Sequence, residues 1–271
     1  MSTTDRKHRG EQAEAGRDGA AATAPAHARP PRPHAPARGR RARLLDPLAL
    51  AAVPACMAAT ALLAPDQAAL IMLAVVVLTL ALFFAGYEAD RPGLRQIMPT
   101  VVLAAFAAAG RILFAPIPDF KPVSAIAIIA GATLGRRNGF VVGSLAALTS
   151  NFFFGQGMWT PWQMYAWGLV GYLGGVLADA GAFTRADGSV RNGALIACGA
   201  ASALVYAVVI DAYDIIGFLH PITVAGVIAR LAAALPFDLT HAAATALFLR
   251  VLYAPWTRRI DRVVRKYALR G

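Results

Sequence analysis

The sequence predicts an all-α, polytopic membrane helix bundle, and three observations predict it. Apolar side chains make up 58% of the 271 residues and charged ones only 15%, and the charges gather in a few clusters where a soluble surface would need them spread along every element. The apolar runs are rich in Ala and Gly, which suits helices that pack closely in lipid. Cations recur in the N-terminal tail, in alternate connecting segments and near the C-terminus, the bias that orients helices in a bilayer. The formal net charge of +11 is therefore read as orienting charge and contact with anionic lipid, not as a nucleic-acid surface.

Residues 1–45 mix Ala, Pro, Arg, His and Gly with almost no large apolar side chain. Burial cannot offset the entropy of ordering them, so they read as a disordered basic cytoplasmic tail in which His8, His27 and His34 are solvated. Residues 46–95 read as a transmembrane hairpin of helices 47–63 and 67–87, joined by Ala64-Pro65-Asp66, where a proline and an acid favour a helix start. Neither helix carries an interior charge. Function inside a membrane shows itself as a polar group that must be satisfied, so the hairpin is expected to be a packing or partner-contact appendage that ligand binding can do without.

After the polar segment 88–96, residues 97–114 form an Ala-rich helix, and the proline-ruled loop 115–122 leads into the stretch around which the chain is organised. Helices 123–134 and 140–154 flank a basic turn, Gly135-Arg136-Arg137-Asn138-Gly139. Each is too short to cross a hydrocarbon core of about 30 Å comfortably without its flanks, and Gly131, Gly139 and Gly143 permit tight packing. A Gly155-Gln156-Gly157 loop then opens a Trp-rich helix over 162–178, followed by polar residues 179–192, a helix over 193–210 and a loop over 211–221 carrying Asp211, Asp214 and His220. Residues 222–235 are expected to be an outward, half-inserted segment ended by Pro236, because proline removes a backbone donor. Residues 238–252 are the final membrane helix, and 255–271 a basic amphipathic segment on an anionic membrane face.

With the tail inside, the loop arginines 91 and 95, 136 and 137, 185 and 191, and the arginines of 258–270 all fall on the cytoplasmic side. The protein is thus expected in the cell membrane with both termini cytoplasmic. Cys56 and Cys198 stand alone in apolar helices, as small buried residues rather than a disulfide or a metal site. Nothing in the sequence calls for a cofactor or a metal.

The outer mouth gathers Asn151, Gln156, Trp159, Thr160, Trp162, Gln163 and Tyr165. Neutral hydrogen-bonding groups beside aromatic faces can grip a large, mostly uncharged ligand, and the same residues also read as an aromatic belt with polar caps. Arg111, near the end of its helix, reads first as snorkelling to the interface and second as a ligand or salt-bridge contact. Asp238 and His241, three apart on one helical face, have the spacing for a proton relay or a metal pair, and read equally as an N-cap and a packing contact. No phosphate-cradling G-x-x-x-x-G-K-[ST], no G-x-S-x-G and no H-E-x-x-H occurs. Energy from ATP would have to come from a partner.

Lys121-Pro122, Gly139-Phe140 with Gly143, Ser150-Asn151-Phe152-Phe153-Phe154-Gly155-Gln156-Gly157, Trp159-Thr160-Pro161-Trp162-Gln163-Met164 and Pro236-Phe237-Asp238-Leu239-Thr240-His241 together resemble the substrate-binding S components of energy-coupling-factor (ECF) transporters. Within these the chain is most similar to the group assigned to cobalamin. The resemblance implies a six-helix core within residues 96–254, a vitamin site on the outer side, and docking on a transmembrane coupling subunit with two cytosolic ATPases. It makes the chain a binding subunit rather than an enzyme, with substrate contacts drawn from Asn151, Gln156, Trp159, Trp162, Gln163, Arg111, Asp238 and His241. A small-residue face for the coupling subunit is implied at Ala104 with Ala108 or Ala105 with Ala109. The alternative is a membrane enzyme acting on a lipid-linked or corrinoid-precursor substrate, with Asp238 and His241 as acid and base.

Overall fold

The computed structural model describes residues 40–63, 68–89 and 94–266; residues 1–39 of the expected tail lie outside them, and residues 40–45, expected to be disordered, are the start of a helix. The described residues form an all-helical structure of eight helices: α1 (Arg40–Leu63), α2 (Ala68–Ala89), α3 (Leu94–Leu113), α4 (Val123–Leu134), α5 (Arg136–Phe154), α6 (Trp159–Asp179), α7 (Asn192–Phe218) and α8 (Val224–Lys266). A single isolated β-bridge, Thr184 to Val190, closes the α6–α7 loop. The loops after α3, α5 and α7 gather at one end, called the mouth below, and the loops after α4 and α6 at the opposite base.

α4 is the centre of the core, with Val123 to Thr133 all buried. It reaches α5 through one residue, Gly135, at φ +102°, a conformation that glycine adopts without strain. The expected five-residue turn is thus shorter: Arg136, Arg137, Asn138 and Gly139 already form the first turn of α5, whose first helical bond runs from the Gly139 N–H to the Gly135 carbonyl at 3.0 Å. Gly139 and Gly171 place α5 directly against the α6 backbone, where a methyl group on either would overlap the facing main chain.

α7 extends eight residues past its expected end, so Asp211 and Asp214 are helical rather than in a loop. No breaker precedes Gly217, Tyr213 stacks on Trp162 at 5.3 Å between ring centroids, and Asp214 pairs with Arg230 of α8 at 2.7 Å. The three expected segments 222–235, 238–252 and 255–271 merge, over the described residues, into one helix, Val224–Lys266, with Pro236 and Pro255 inside it. At 1.5 Å per residue it spans roughly 65 Å. A proline removes one backbone bond, but neither proline ends the helix here. α7 runs antiparallel along α8, with Gly199 tight against Ala246. Asp238 is consequently inside a helix and caps nothing.

The N-terminal hairpin is built into the bundle, contrary to its reading as an appendage. Leu50, Val53, Met57, Met72, Val76, Leu80 and Phe83 are buried, and Phe83 stacks on Phe140 at 3.9 Å. Pro54 lacks the N–H that would bond the Leu50 carbonyl four residues back. The buried Tyr165 hydroxyl of α6 donates to that carbonyl instead, at 2.6 Å. At the base, Arg137 Nε donates to Asp46 Oδ2 at 2.6 Å and Nη1 to the Gly86 carbonyl at 2.9 Å. Tyr87 and Thr100 both donate to Asn138 Oδ1 at 2.9 Å. Sequence inspection missed these links because most of them end on backbone carbonyls or at helix edges.

Candidate functional site

The site grows from one residue, Arg111, in the last turn of α3. Its side chain is only 8% exposed, so it does not snorkel. Nη1 donates to Ser150 Oγ at 2.7 Å and to Asn151 Oδ1 at 2.6 Å, both on α5, and Nη2 approaches Gln163 Oε1 of α6 at 3.4 Å. The guanidinium is held between the rings of Phe154 and Trp167, 4.7 and 4.8 Å from their centroids, as a cation over aromatic faces prefers. Among the described residues no carboxylate makes an ion pair with it, so neutral acceptors and aromatic faces solvate the cation.

From Arg111 a chain of hydrogen bonds leads to the surface. Asn151 Nδ2 donates to Thr160 Oγ1 at 3.0 Å and to Gln163 Oε1 at 2.9 Å. Thr160 Oγ1 donates to Gln156 Oε1 at 2.9 Å, and Gln156 Nε2 to the Leu148 carbonyl at 3.0 Å. Arg111, Asn151, Gln156 and Gln163 are therefore one network, and its amides bond to one another rather than facing an open pocket. Gly155, at φ +97°, lets the chain turn out of α5 so that Gln156 can fold back.

The remaining candidates divide. Trp159 is 44% exposed and lays its ring over Gly157, outside the network. Trp162 is buried, and its ring lies on Tyr213 of α7 rather than open to a ligand. His241 is buried, with Nε2 2.7 Å from Ser124 Oγ and its ring edge-on to Tyr206 at 4.9 Å. Asp238, half-buried one turn away, makes no hydrogen bond to it among the described residues. No group of three metal-ligating side chains forms among those residues, and His241 engages Ser124 rather than Asp238.

The α3–α4 loop lies over the start of α4 and carries Asp119 at φ +52°. Beneath it is a cavity of about 10 Å³ lined by Asp119, Lys121, Val123, Trp167 and His241. Burial pushes the Asp119 carboxyl above its ordinary value, partly offset by Lys121 and Arg111. Burial also pushes the Lys121 ammonium below its ordinary value, with Asp119 acting against the shift. Sequence inspection passed over Ser124, Tyr206, Trp167 and Asp119. The usable signal was a hydroxyl set among apolar residues, Ser124 in α4 and Tyr206 in α7, since such a group needs a partner inside a bundle.

The alanines of α3 sort cleanly. Ala104 and Ala108 are buried in the core, so they offer nothing to a partner. Ala105 and Ala109 are exposed beside Val101, Val102 and Phe106.

Fold and site together define an all-helical, membrane-associated protein with a buried polar cluster at one end. Three helical stretches, Ala69–Glu88, Asn192–Phe218 and Val224–Lys266, are long and apolar enough to cross a membrane. Residues 91–259 match DUF6580, a family of unknown function, and the chain belongs to that family. The match runs from the start of α3 through most of α8. No curated protein and no solved structure matches the chain.

Proposed function

We propose that this protein is the substrate-binding membrane subunit of an ECF-type importer, capturing a vitamin at the mouth and passing it inward with a coupling subunit and two ATPases. Cobalamin or a related corrinoid is the first substrate to try. The observation that carries the reading is the Arg111 network. A cation and three amide side chains gathered among apolar helices are costly in a membrane, and such groups mark substrate paths. In this reading the protein is multi-pass with both termini cytoplasmic, the mouth faces outward, and helices α3–α8 are the S-component core. Ala105 and Ala109 are the small-residue face open to a coupling subunit, and Asn151, Gln156 and Gln163 exchange their mutual bonds for bonds to the ligand as the loops at 114–122 and 155–158 part. Engagement of His241 by Ser124, away from Asp238, speaks against an acid–base pair and so against the enzyme alternative. The test is to purify the full chain in mild detergent, identify by mass spectrometry what copurifies, and titrate cyanocobalamin. Recovery of ATPase subunits and saturable corrinoid binding are expected, and a protein that turns over a lipid-linked substrate without ATPases would overturn the proposal.

A further inference from the structure

The cavity beneath the α3–α4 loop is richer in donors than in acceptors. The Trp167 side chain lines it and is only 4% exposed, yet its Nε1–H has no partner among the described residues. The guanidinium stacked on the same indole has a second orphan, the buried Arg111 Nε–H. Lys121 also lines the cavity, and among the described residues its ammonium makes one long bond, 3.4 Å to the Ile117 carbonyl. On the acceptor side, Asp119 is the one acid in the lining, and His241 Nε2 is taken by Ser124. Asp119 is felt by Lys121 and Arg111 alike, so among the described residues one acid stands here against two cations. Neither Asp238 of α8 nor Asp211 of α7 lines the cavity, although Asp238 lies near enough to Asp119 to feel its charge. Buried donors without acceptors cost free energy unless something binds them.

We propose that this cavity is the subsite for one carboxylate group of a small-molecule ligand, bound by Trp167 Nε1 and Lys121 with Arg111 supplying the balancing charge behind the indole. The enclosed space is about that of one water, so one carboxylate oxygen enters it and the rest of the ligand extends toward the Asn151–Gln156 chain. That the ligand is the transported solute rests on the import reading; the subsite itself does not.

The test uses the full-length detergent-purified protein and follows its thermal unfolding midpoint with sodium acetate, acetamide and extra sodium chloride at matched ionic strength. Acetate alone should raise the midpoint, and the rise should saturate. Trp167→Phe keeps an aromatic ring beside the guanidinium while removing the indole donor and some ring volume, and Lys121→Gln is the independent second probe, at a loop residue. Each should weaken the acetate response roughly tenfold, as loss of one hydrogen bond to a charged group does. Equal responses to acetate and acetamide, no response to either, or parent-like responses in both variants would overturn the subsite; in the second case the cavity holds only water. An acetate response from a protein that recruits no ATPases would leave the subsite standing and remove the import reading. ATPase recruitment without an acetate response would do the reverse.

Discussion

At the residue scale the molecule answers a recurring problem: a polar group placed in an apolar bundle must find a partner. The Leu50 carbonyl shows this most simply, because the proline four residues on cannot bond it and the Tyr165 hydroxyl does. Replacing Tyr165 by Phe keeps the ring and strands the carbonyl, which should cost about 1–3 kcal/mol; thermal or denaturant unfolding of the purified variant measures it, and an unchanged midpoint would mean water takes over the bond. Arg111 is the same problem with a charge. Arg111→Met leaves Ser150 Oγ and Asn151 Oδ1 without their donor, while Gln163 Oε1 keeps the bond from Asn151 Nδ2, so the expected outcome is loss of corrinoid or fragment binding with altered stability. Arg111→Lys keeps the charge but cannot reach Ser150, Asn151 and Gln163 together from a planar fork. It should restore folding more fully than binding, which separate melting and titration measurements would reveal.

At the element scale the helices are longer and less interrupted than their sequences imply. Proline and charged residues read as ends in a sequence, a rule that holds where each helix must stand alone in water. α8 shows why it fails here: Pro236 lies within the helix, and Thr240 Oγ1 donates to the Pro236 carbonyl at 2.8 Å. Pro236→Ala restores a donor for the carbonyl of Ala232, four residues back, without disturbing a turn. It should therefore leave the protein at least as stable as the parent, whereas a genuine break at this position would make the substitution destabilising. The melting midpoint distinguishes the two. The same scale explains what is legible in the sequence. The all-helical class and α4, whose bounds are Val123–Leu134, follow from unbroken apolar runs. Arg111, Asn151, Gln156, Gln163 and His241 are legible as the residues that need partners. Trp159 and Trp162 join them only by proximity in sequence, but a helix of 3.6 residues per turn sends neighbours to different faces, and so Trp162 meets α7 instead. Spacing alone leaves open which alanine pair of α3 faces outward, because four nearly identical small residues carry no periodicity.

At the scale of the whole molecule, the family match begins at residue 91, after α1 and α2, although these helices close one side of the core. Their contacts are of two kinds. Phe83 covers Phe140 and meets Tyr172 edge-on at 6.2 Å, and Asp46 neutralises Arg137 at the base, where both side chains are mostly buried. Removing residues 1–89 would expose the Phe140 ring, strip Arg137 of its carboxylate and leave Tyr165 without an acceptor at once. The expected outcome is a chain that does not survive extraction from the membrane as a monodisperse species, so the deletion by itself cannot report on binding. Asp46→Asn is the milder probe. It keeps the shape and removes the charge, and its cost should fall between the roughly 1 kcal/mol of an exposed ion pair and the roughly 3–5 kcal/mol of breaking a buried one. The mouth lies at the other end of the bundle, so ligand affinity in the folded fraction should be unchanged while the unfolding midpoint drops. If the midpoint holds and the deletion protein stays monodisperse, the hairpin is an appendage after all, and the contacts at Arg137 and Phe83 contribute nothing to the stability of the core.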